Sequence, residues 1–176
     1  MSEARDLPDL LIVSDLHLSE GWDSQTKRID RKEDFFADEA FSHLLGYFRA
    51  KAKDEGERKL RLVFAGDLFD FLQVTTVPCS GSGLVRDPKR ETRYGLGTLP
   101  EQTVWKLNQR IVPGHWQFFE AVREFVAAGH EIVIIPGNHD IELTDHDVQA
   151  ALKAELVKGR GEQGQGSGTV TVLPWF

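Results

Sequence analysis

Carboxylate, imidazole and amide side chains follow three apolar segments of the 176-residue chain, close to the end of each segment. The residues concerned are Asp15, His17, Asp67, Asn138 and His139. Carboxylate oxygens and imidazole nitrogens in one site suit Mn²⁺, Fe or Zn²⁺ better than Ca²⁺. The carboxylate of Asp67 has two oxygens, enough to bridge two ions about 3.5–4 Å apart, the separation used in two-metal hydrolysis of phosphate esters. These residue types predict a metal site, provided that the fold brings them together.

The three apolar segments, which begin at Asp9, Leu60 and Glu131, are typical of strands in a parallel sheet. They are short, rich in Val, Ile and Leu, and not alternating, a pattern that predicts burial on both faces. Parallel strands end at the same edge of their sheet, where such folds bind ligands. The polar residues that follow the three segments are therefore expected to meet there.

Both connections between these strands carry apolar residues at helical spacing. The first stripe consists of Phe35, Phe36, Ala40, Phe41, Leu44, Leu45 and Phe48, and the second of Trp116, Phe119, Val122, Phe125 and Val126. Gly56 and Gly129 are the predicted helix ends, and Pro113 is expected to separate the second helix from a helical piece over 101–111. The pattern predicts an α/β domain over 1–176 with a mostly parallel β-sheet flanked by helices.

The remaining segments are expected to form one helix, one strand and two loops. Thr144 to Asp147 has capping-box spacing, and the apolar residues that follow predict a helix as far as Val157. A glycine-rich loop over 159–168 precedes a strand-like run from Thr169 to Leu173. Residues 73–100 show no periodicity and are predicted to form a long loop or lid.

Charge and composition exclude several classes of protein. The formal net charge of −7 argues against a broad basic face for nucleic acid, whereas a small anionic substrate is possible if metal ions supply positive charge. No apolar run approaches the roughly 20 residues of a membrane-spanning helix. The residues after Met1 carry charges of both signs and no readable targeting signal, so a cytoplasmic location is expected.

Three motifs, each directly after a predicted strand, resemble those of the calcineurin-like metallophosphoesterase superfamily. They are Asp15-x-His17, Gly66-Asp67-x-x-Asp70 and Gly137-Asn138-His139-Asp140, in that order. The resemblance covers about residues 9–140. It implies the αββα sandwich of that superfamily and a phosphoesterase that hydrolyses a phosphate mono- or diester.

The same resemblance implies a ligand set for two divalent metal ions, with Mn, Fe or Zn expected. Asp15 and His17 would bind the first ion. Asp67 would bridge both ions, and Asn138 would give its side-chain oxygen to the second. A metal-bound hydroxide would then be the nucleophile that attacks phosphorus.

Two further residues receive catalytic roles from the resemblance. His139 would contact the substrate phosphate and assist the departure of the leaving oxygen. Asp70 would hold His139 in position through a hydrogen bond.

The chain departs from the superfamily after Asn138, because the later metal-binding histidine motifs do not follow. The only histidine after His139 is His146, which lies at a predicted helix start, where a capping or solvated role is expected. The chain is therefore expected to be the N-terminal part of a larger phosphoesterase, with an incomplete sandwich. The alternative is a catalytically inactive scaffold or binding module with the same fold.

The long loop contains a basic cluster in an otherwise acidic protein. Arg86, Arg90 and Arg93 are either solvated or offer guanidinium groups to the phosphate of a small phosphorylated substrate. His43 and His130 are interpreted as surface or structural histidines. His115 is interpreted as structural, although it lies in a connection that can carry a substrate contact.

Overall fold

The computed structural model describes residues 7–76, 96–158 and 168–174. Its strands are β1 (Asp9–Val13), β2 (Trp22–Asp23), β3 (Arg28–Ile29), β4 (Leu60–Ala65), β5 (Glu131–Ile135) and β6 (Val170–Val172). Strands β1, β4, β5 and β6 form a four-stranded sheet in that spatial order, with every neighbouring pair parallel. Strands β2 and β3 form a separate antiparallel ribbon. The predicted α/β class and parallel sheet are confirmed.

The helices occupy the connections in which their periodicity predicts them. They are α1 (Asp38–Asp54), α2 (Pro100–Lys106), α3 (Val112–Gly114), α4 (Trp116–Ala127) and α5 (His146–Leu156), with a π-helical turn over Leu107–Ile111 and a 3₁₀ turn over Ile141–Thr144. The order of the sheet strands and of α1 and α4 confirms the predicted βαβαβ unit. None of the described helices is long and apolar enough to cross a membrane.

The hydrophobic core lies between one face of the sheet and the helices α1 and α4. Leu62 and Phe64 of β4 are buried side by side with Ile132 and Ile134 of β5, their register partners. Phe41 of α1 stacks on Phe118 of α4 with ring centroids 4.5 Å apart, and both rings lie near Phe64. This packing fixes β4 and β5 beneath the two helices.

The opposite face of the sheet does not have the burial that the apolar runs predict. Leu10 and Ile12 of β1 are 56% and 63% exposed, whereas Leu11 and Val13 pack against the core. The physical reason is the direction of the connections: each new strand of the sheet adds on the same side of the preceding one. Right-handed crossovers in one direction place their helices on one face.

Helix α1 begins later than its apolar stripe predicts, whereas α4 begins at the first residue of its stripe. Helix α1 starts at Asp38, so that Phe35 and Phe36 precede it, and Phe36 is 67% exposed. Trp116 begins α4 and is 59% exposed. The break before α4 falls at His115 (φ −116°, ψ 40°) rather than at Pro113, which lies inside α3.

The beginning of α5 also differs from the predicted capping box. The cap is Asp145, whose side chain accepts hydrogen bonds from the backbone N–H groups of Asp147 and Val148. Thr144 instead bonds the carbonyl of Ile141 and closes the preceding 3₁₀ turn. His146 is the first residue of α5 and is exposed, as expected.

Several sequence-based expectations lie outside the described residues. These are the greater part of the predicted lid, including Arg86, Arg90 and Arg93, and the glycine-rich segment except Gly168. At the end of the predicted loop the chain is helical, because α2 already begins at Pro100.

Candidate metal centre

The segments that follow β1 and β4 continue to pair beyond the ends of the strands. The backbone N–H of Asp15 donates to the carbonyl of Gly66 at 3.2 Å, and that of His17 donates to the carbonyl of Asp67 at 2.9 Å. One residue further, Leu18 pairs in parallel with Phe69. Backbone pairing therefore holds the first two polar clusters side by side.

Three of the predicted ligands have a left-handed backbone. The φ angles of Asp15, His17 and Asp67 are 56°, 54° and 51°. A residue with a Cβ pays about 1–3 kcal/mol for such a conformation, and such residues concentrate at active sites and ligand clamps. These strained positions coincide with the side chains that the motifs select.

The third cluster reaches Asp67 from the end of β5. The backbone N–H of His139 donates to Oδ1 of Asp67 at 2.9 Å. A Cβ at Gly137 would lie 2.1 Å from the same oxygen, so only glycine allows this approach. Between them, Asn138 is exposed at the edge of the sheet.

Two groups of side chains in the described part of the chain could hold a metal ion. One consists of Asp15, His17 and Asp67, and the other of His17, Asp70 and His139. Within each group the potential ligand atoms all lie within 4.8 Å of one another. The structure thus brings together the three clusters that are far apart in the sequence, and His17 belongs to both groups.

His139 and Asp70 form a hydrogen-bonded pair. Nδ1 of His139 lies 3.0 Å from Oδ2 of Asp70, the contact that the resemblance implies. Asp70 is 4% exposed, whereas the side chain of His139 is 42% exposed. The ring of His139 also meets that of His17 edge to face, with centroids 4.6 Å apart. With Nδ1 bonded to the buried carboxylate, Nε2 is the imidazole atom available to a ligand.

Asp140 links two of the segments that carry the candidate ligands, and sequence reasoning gave it no role. It is fully buried, and its carboxylate accepts hydrogen bonds from the backbone N–H groups of Leu68 (2.8 Å), Phe69 (3.2 Å) and Gly137 (2.6 Å). Burial raises the pKa of Asp140 above its ordinary value, although the three N–H donors act in the opposite direction. The side chain ties the segment after β4 to the segment after β5. Its place directly after His139 was the only signal in the sequence.

A buried lysine, Lys106, interacts electrostatically with Asp70. Nζ of Lys106, which is fully buried, donates to the carbonyl of Phe71 at 2.6 Å. Burial lowers the pKa of Lys106 to about 8, against the attraction of the carboxylates of Glu142, Asp70 and Glu20. Lys106 lies in a helical, partly apolar segment, and nothing in the residues around it predicts that its side chain is buried.

His115 is structural, as expected, and lies in a second buried ionic network. Its Nε2 lies 3.0 Å from Glu33, and its Nδ1 lies 3.0 Å from Asp38. Burial alone would lower the pKa of His115, but hydrogen bonds to these two carboxylates raise it to about 9. Glu33 also accepts backbone N–H bonds from Ser19 and Gly21, and its pKa is lowered because its bonds outweigh the effect of burial.

The other two histidines agree with the interpretation of surface or structural residues. His43 is exposed on α1. His130 is 8% exposed, packs on the ring of Phe125 and accepts a backbone hydrogen bond from Leu60. Burial, helped by the charges of Arg49 and Lys59, lowers the pKa of His130.

The fold and the cluster together define an α/β protein with carboxylates and imidazoles at the carboxyl edge of a parallel sheet. Comparison of the chain with protein-family models, with curated proteins and with solved structures finds no match. The sequence motifs and the geometry of this site are therefore the features that point to a function.

Proposed function

We propose that the chain is a metal-dependent phosphoesterase of the calcineurin-like superfamily, acting on a phosphate mono- or diester. The observation that carries the proposal is the convergence of three separate motifs on one site. Asp15, His17 and Asp67 offer ligand atoms within 4.8 Å of one another, and His139 with Asp70 stands beside them.

The donor set fits a divalent transition metal. Two carboxylates and one imidazole suit Mn²⁺, Fe²⁺ or Zn²⁺, and the left-handed backbone at Asp15, His17 and Asp67 is a cost that ligand placement explains. In the proposal Asp15 and His17 hold the first ion, Asp67 bridges, and Asn138 holds the second. Bound ions would activate water and neutralise charge on the phosphoryl oxygens.

The protein groups around such a site have separate tasks in the proposal. In the proposal the carboxylate of Asp70 accepts a hydrogen bond from the Nδ1–H of His139 and so fixes the orientation of the imidazole. Nε2 then faces the substrate phosphate, where it can donate a proton to the leaving oxygen. We include Arg86, Arg90 and Arg93 as candidate contacts to the same phosphate.

One feature favours a second candidate, a phosphoesterase fold that binds metal or ligand without turnover. Among the described residues, the two candidate metal groups share His17, and neither includes His146. Besides Asp67, the proposed second ion has only Asn138 as an assigned ligand.

The test is Mn²⁺-dependent hydrolysis of bis-p-nitrophenyl phosphate and p-nitrophenyl phosphate, with metal content counted in the same sample. We expect about two ions per chain and a loss of about 10²–10⁴ in turnover with His139→Ala, the usual contribution of a general acid. His43→Ala, an exposed histidine on α1, is the matched control and should retain activity. Metal binding without turnover supports the second candidate, and turnover unaffected by His139→Ala contradicts the first.

A further inference from the structure

A cavity of about 340 Å³ opens where the β2–β3 ribbon meets the beginnings of α1 and α4. Five large apolar side chains line it. One of them, Phe35, is buried, and the other four are substantially exposed. They are Trp22 (44%), Ile29 (44%), Phe36 (67%) and Trp116 (59%). None of these residues belongs to the candidate metal centre, so the cavity is a separate feature of the surface.

The exposure of these side chains is unfavourable unless something covers them. Phe36 and Trp116 belong to apolar stripes that predict burial, yet both are more than half exposed. Single exposed apolar residues are ordinary, whereas a group around one concavity marks a binding site. An aromatic side chain that stays exposed forgoes the burial of much of its 150–250 Å². The cavity therefore offers apolar and aromatic surface to a ligand.

The position of the cavity walls is fixed by close backbone contacts. Gly21, in a left-handed conformation with φ +62°, lies against Gly114 of α3. A Cβ at Gly114 would lie 1.9 Å from the carbonyl oxygen of Glu20. Trp22 and Ile29 are register partners across the ribbon, so their side chains stand together. The ribbon is thus held against α3, and the cavity is part of the folded structure.

The charge around the cavity is negative. Asp38 and Glu39 line it, and Glu33 is buried beneath it. Among the lining residues that the structure describes, His115 is the one basic residue, and its two ring nitrogens bond to Glu33 and Asp38. The protonated His115 contributes one positive charge, and each of the two helix beginnings adds about half a charge. The three carboxylates therefore leave an excess of about one negative charge. A cation is therefore the complementary ligand.

We propose that this cavity binds an organic cation of the quaternary ammonium or methylated amine class. The faces of Trp22, Phe36 and Trp116 would contact the alkylated cation, as in cation–π recognition of quaternary ammonium groups. Asp38 and Glu39 supply the opposite charge. Alkylation suits such a site because an unmodified ammonium is strongly hydrated and loses more on leaving water.

The first experiment tests whether binding depends on the positive charge of the ligand or only on its shape. Choline, tetramethylammonium and the uncharged choline isostere 3,3-dimethylbutan-1-ol are titrated into the full chain with EDTA present, by calorimetry and by tryptophan fluorescence. EDTA keeps the proposed metal centre empty, so the result is independent of the proposed phosphoesterase activity. We expect both cations to bind with a fluorescence change and the isostere to bind about fivefold to thirtyfold more weakly, the value of one or two cation–π contacts.

The second experiment assigns binding to the cavity. Trp116→Leu and Glu39→Gln should each weaken choline binding by about fivefold or more. Tyr47→Leu is the control, because Tyr47 is an exposed aromatic residue of α1, 63% exposed, that does not line the cavity. Unfolding curves confirm that the variants are folded. Equal binding of the isostere, absence of saturable cation binding, or an equal loss in Tyr47→Leu would each overturn the proposal.

Discussion

His115 is an ionised imidazole enclosed by two carboxylates, and its protonation stabilises the folded chain. Because the folded pKa of about 9 exceeds the ordinary value of 6.5, the contribution is complete below pH 6.5 and is lost as pH rises through 9. The shift corresponds to a contribution on the order of 3 kcal/mol. We therefore predict that the free energy of unfolding falls between pH 6.5 and 9, and that His115→Gln removes this fall.

Urea unfolding of the native chain and of the His115→Gln variant at several pH values checks the prediction. Lys106 acts in the opposite sense, because its lowered pKa makes stability rise between about 8 and 10.5. The contribution of Lys106 cancels when the free energies of unfolding of the two proteins are subtracted, since both retain Lys106. Identical pH dependence of the two proteins would show that His115 is not protonated in the fold.

Gly137 allows the segment after β5 to approach Asp67. We predict that Gly137→Ala lowers the free energy of unfolding by about 1–3 kcal/mol, the usual cost of overpacking, because its Cβ would lie 2.1 Å from Oδ1 of Asp67. Gly46→Ala is the matched control, because a Cβ there meets nothing within 4 Å and the residue lies in α1. That variant should gain about 0.5–1 kcal/mol. Similar effects of the two substitutions would contradict the contact at Gly137.

The motifs predicted which side chains form the candidate site, but they did not predict the buried contacts around it. Asp15, His17, Asp67 and His139 were selected because their chemistry and order are legible in the motifs. The burial of Lys106 was not predicted, because it depends on a tertiary hydrogen bond to the backbone carbonyl of Phe71 and leaves no pattern in the residues around it.

At the scale of elements, Asp140 joins the segments after β4 and β5. We predict that Asp140→Asn lowers the free energy of unfolding by about 1–3 kcal/mol and weakens Mn²⁺ binding, because an amide cannot accept on both sides as the carboxylate does. The lost bond releases either Leu68 or Gly137, which flank Asp67 and Asn138.

Calorimetric titration with Mn²⁺ separates positioning from general stability. Asp145→Ala is the control, because Asp145 is also a carboxylate that accepts two backbone N–H bonds, but it caps α5. It should cost about 1 kcal/mol of stability and leave Mn²⁺ binding unchanged. If Asp140→Asn binds Mn²⁺ as tightly as the native chain, Asp140 has only a structural role.

Periodicity located the helices but not the beginning of α1. Gly56 and Gly129 follow the C-caps of α1 and α4, as predicted. The apolar stripes of α1 and α4 recur every three or four residues, and this spacing survives in the buried positions such as Phe41, Leu45, Phe119 and Val122. The spacing could not show that Phe36 and Trp116 fall outside the packed face. Both side chains lie beside the β2–β3 ribbon. Each strand of this ribbon has two residues, and no local pattern in the sequence predicts it.

At the scale of the whole molecule, the sheet has one covered face and one open face. We predict that Ile12→Thr changes the free energy of unfolding by less than about 0.5 kcal/mol, since Ile12 is 63% exposed and Thr is also β-branched. Leu62→Ala on the covered face should cost about 2–5 kcal/mol. Chemical denaturation of both variants provides the measurement. A large loss in Ile12→Thr would mean that this face is covered in solution.

The sequence could not predict that only one face of the sheet is covered by helices. An apolar run such as Leu10–Val13 is compatible with burial on either or both faces. The outcome depends on the direction in which successive strands are added, which is a property of the whole topology. The α/β class was predictable because it depends only on the alternation of strands and helices.

The strand order also bears on how the chain acquires its fold during synthesis. In the sheet, each strand pairs with the one that precedes it in the sequence, from β1 through β4 and β5 to β6. A chain that emerges from the ribosome amino terminus first can therefore dock every new strand onto an edge that already exists. Among the strands of the described ranges, none has to insert between two earlier ones, so growth of this sheet and elongation of the chain proceed in the same direction.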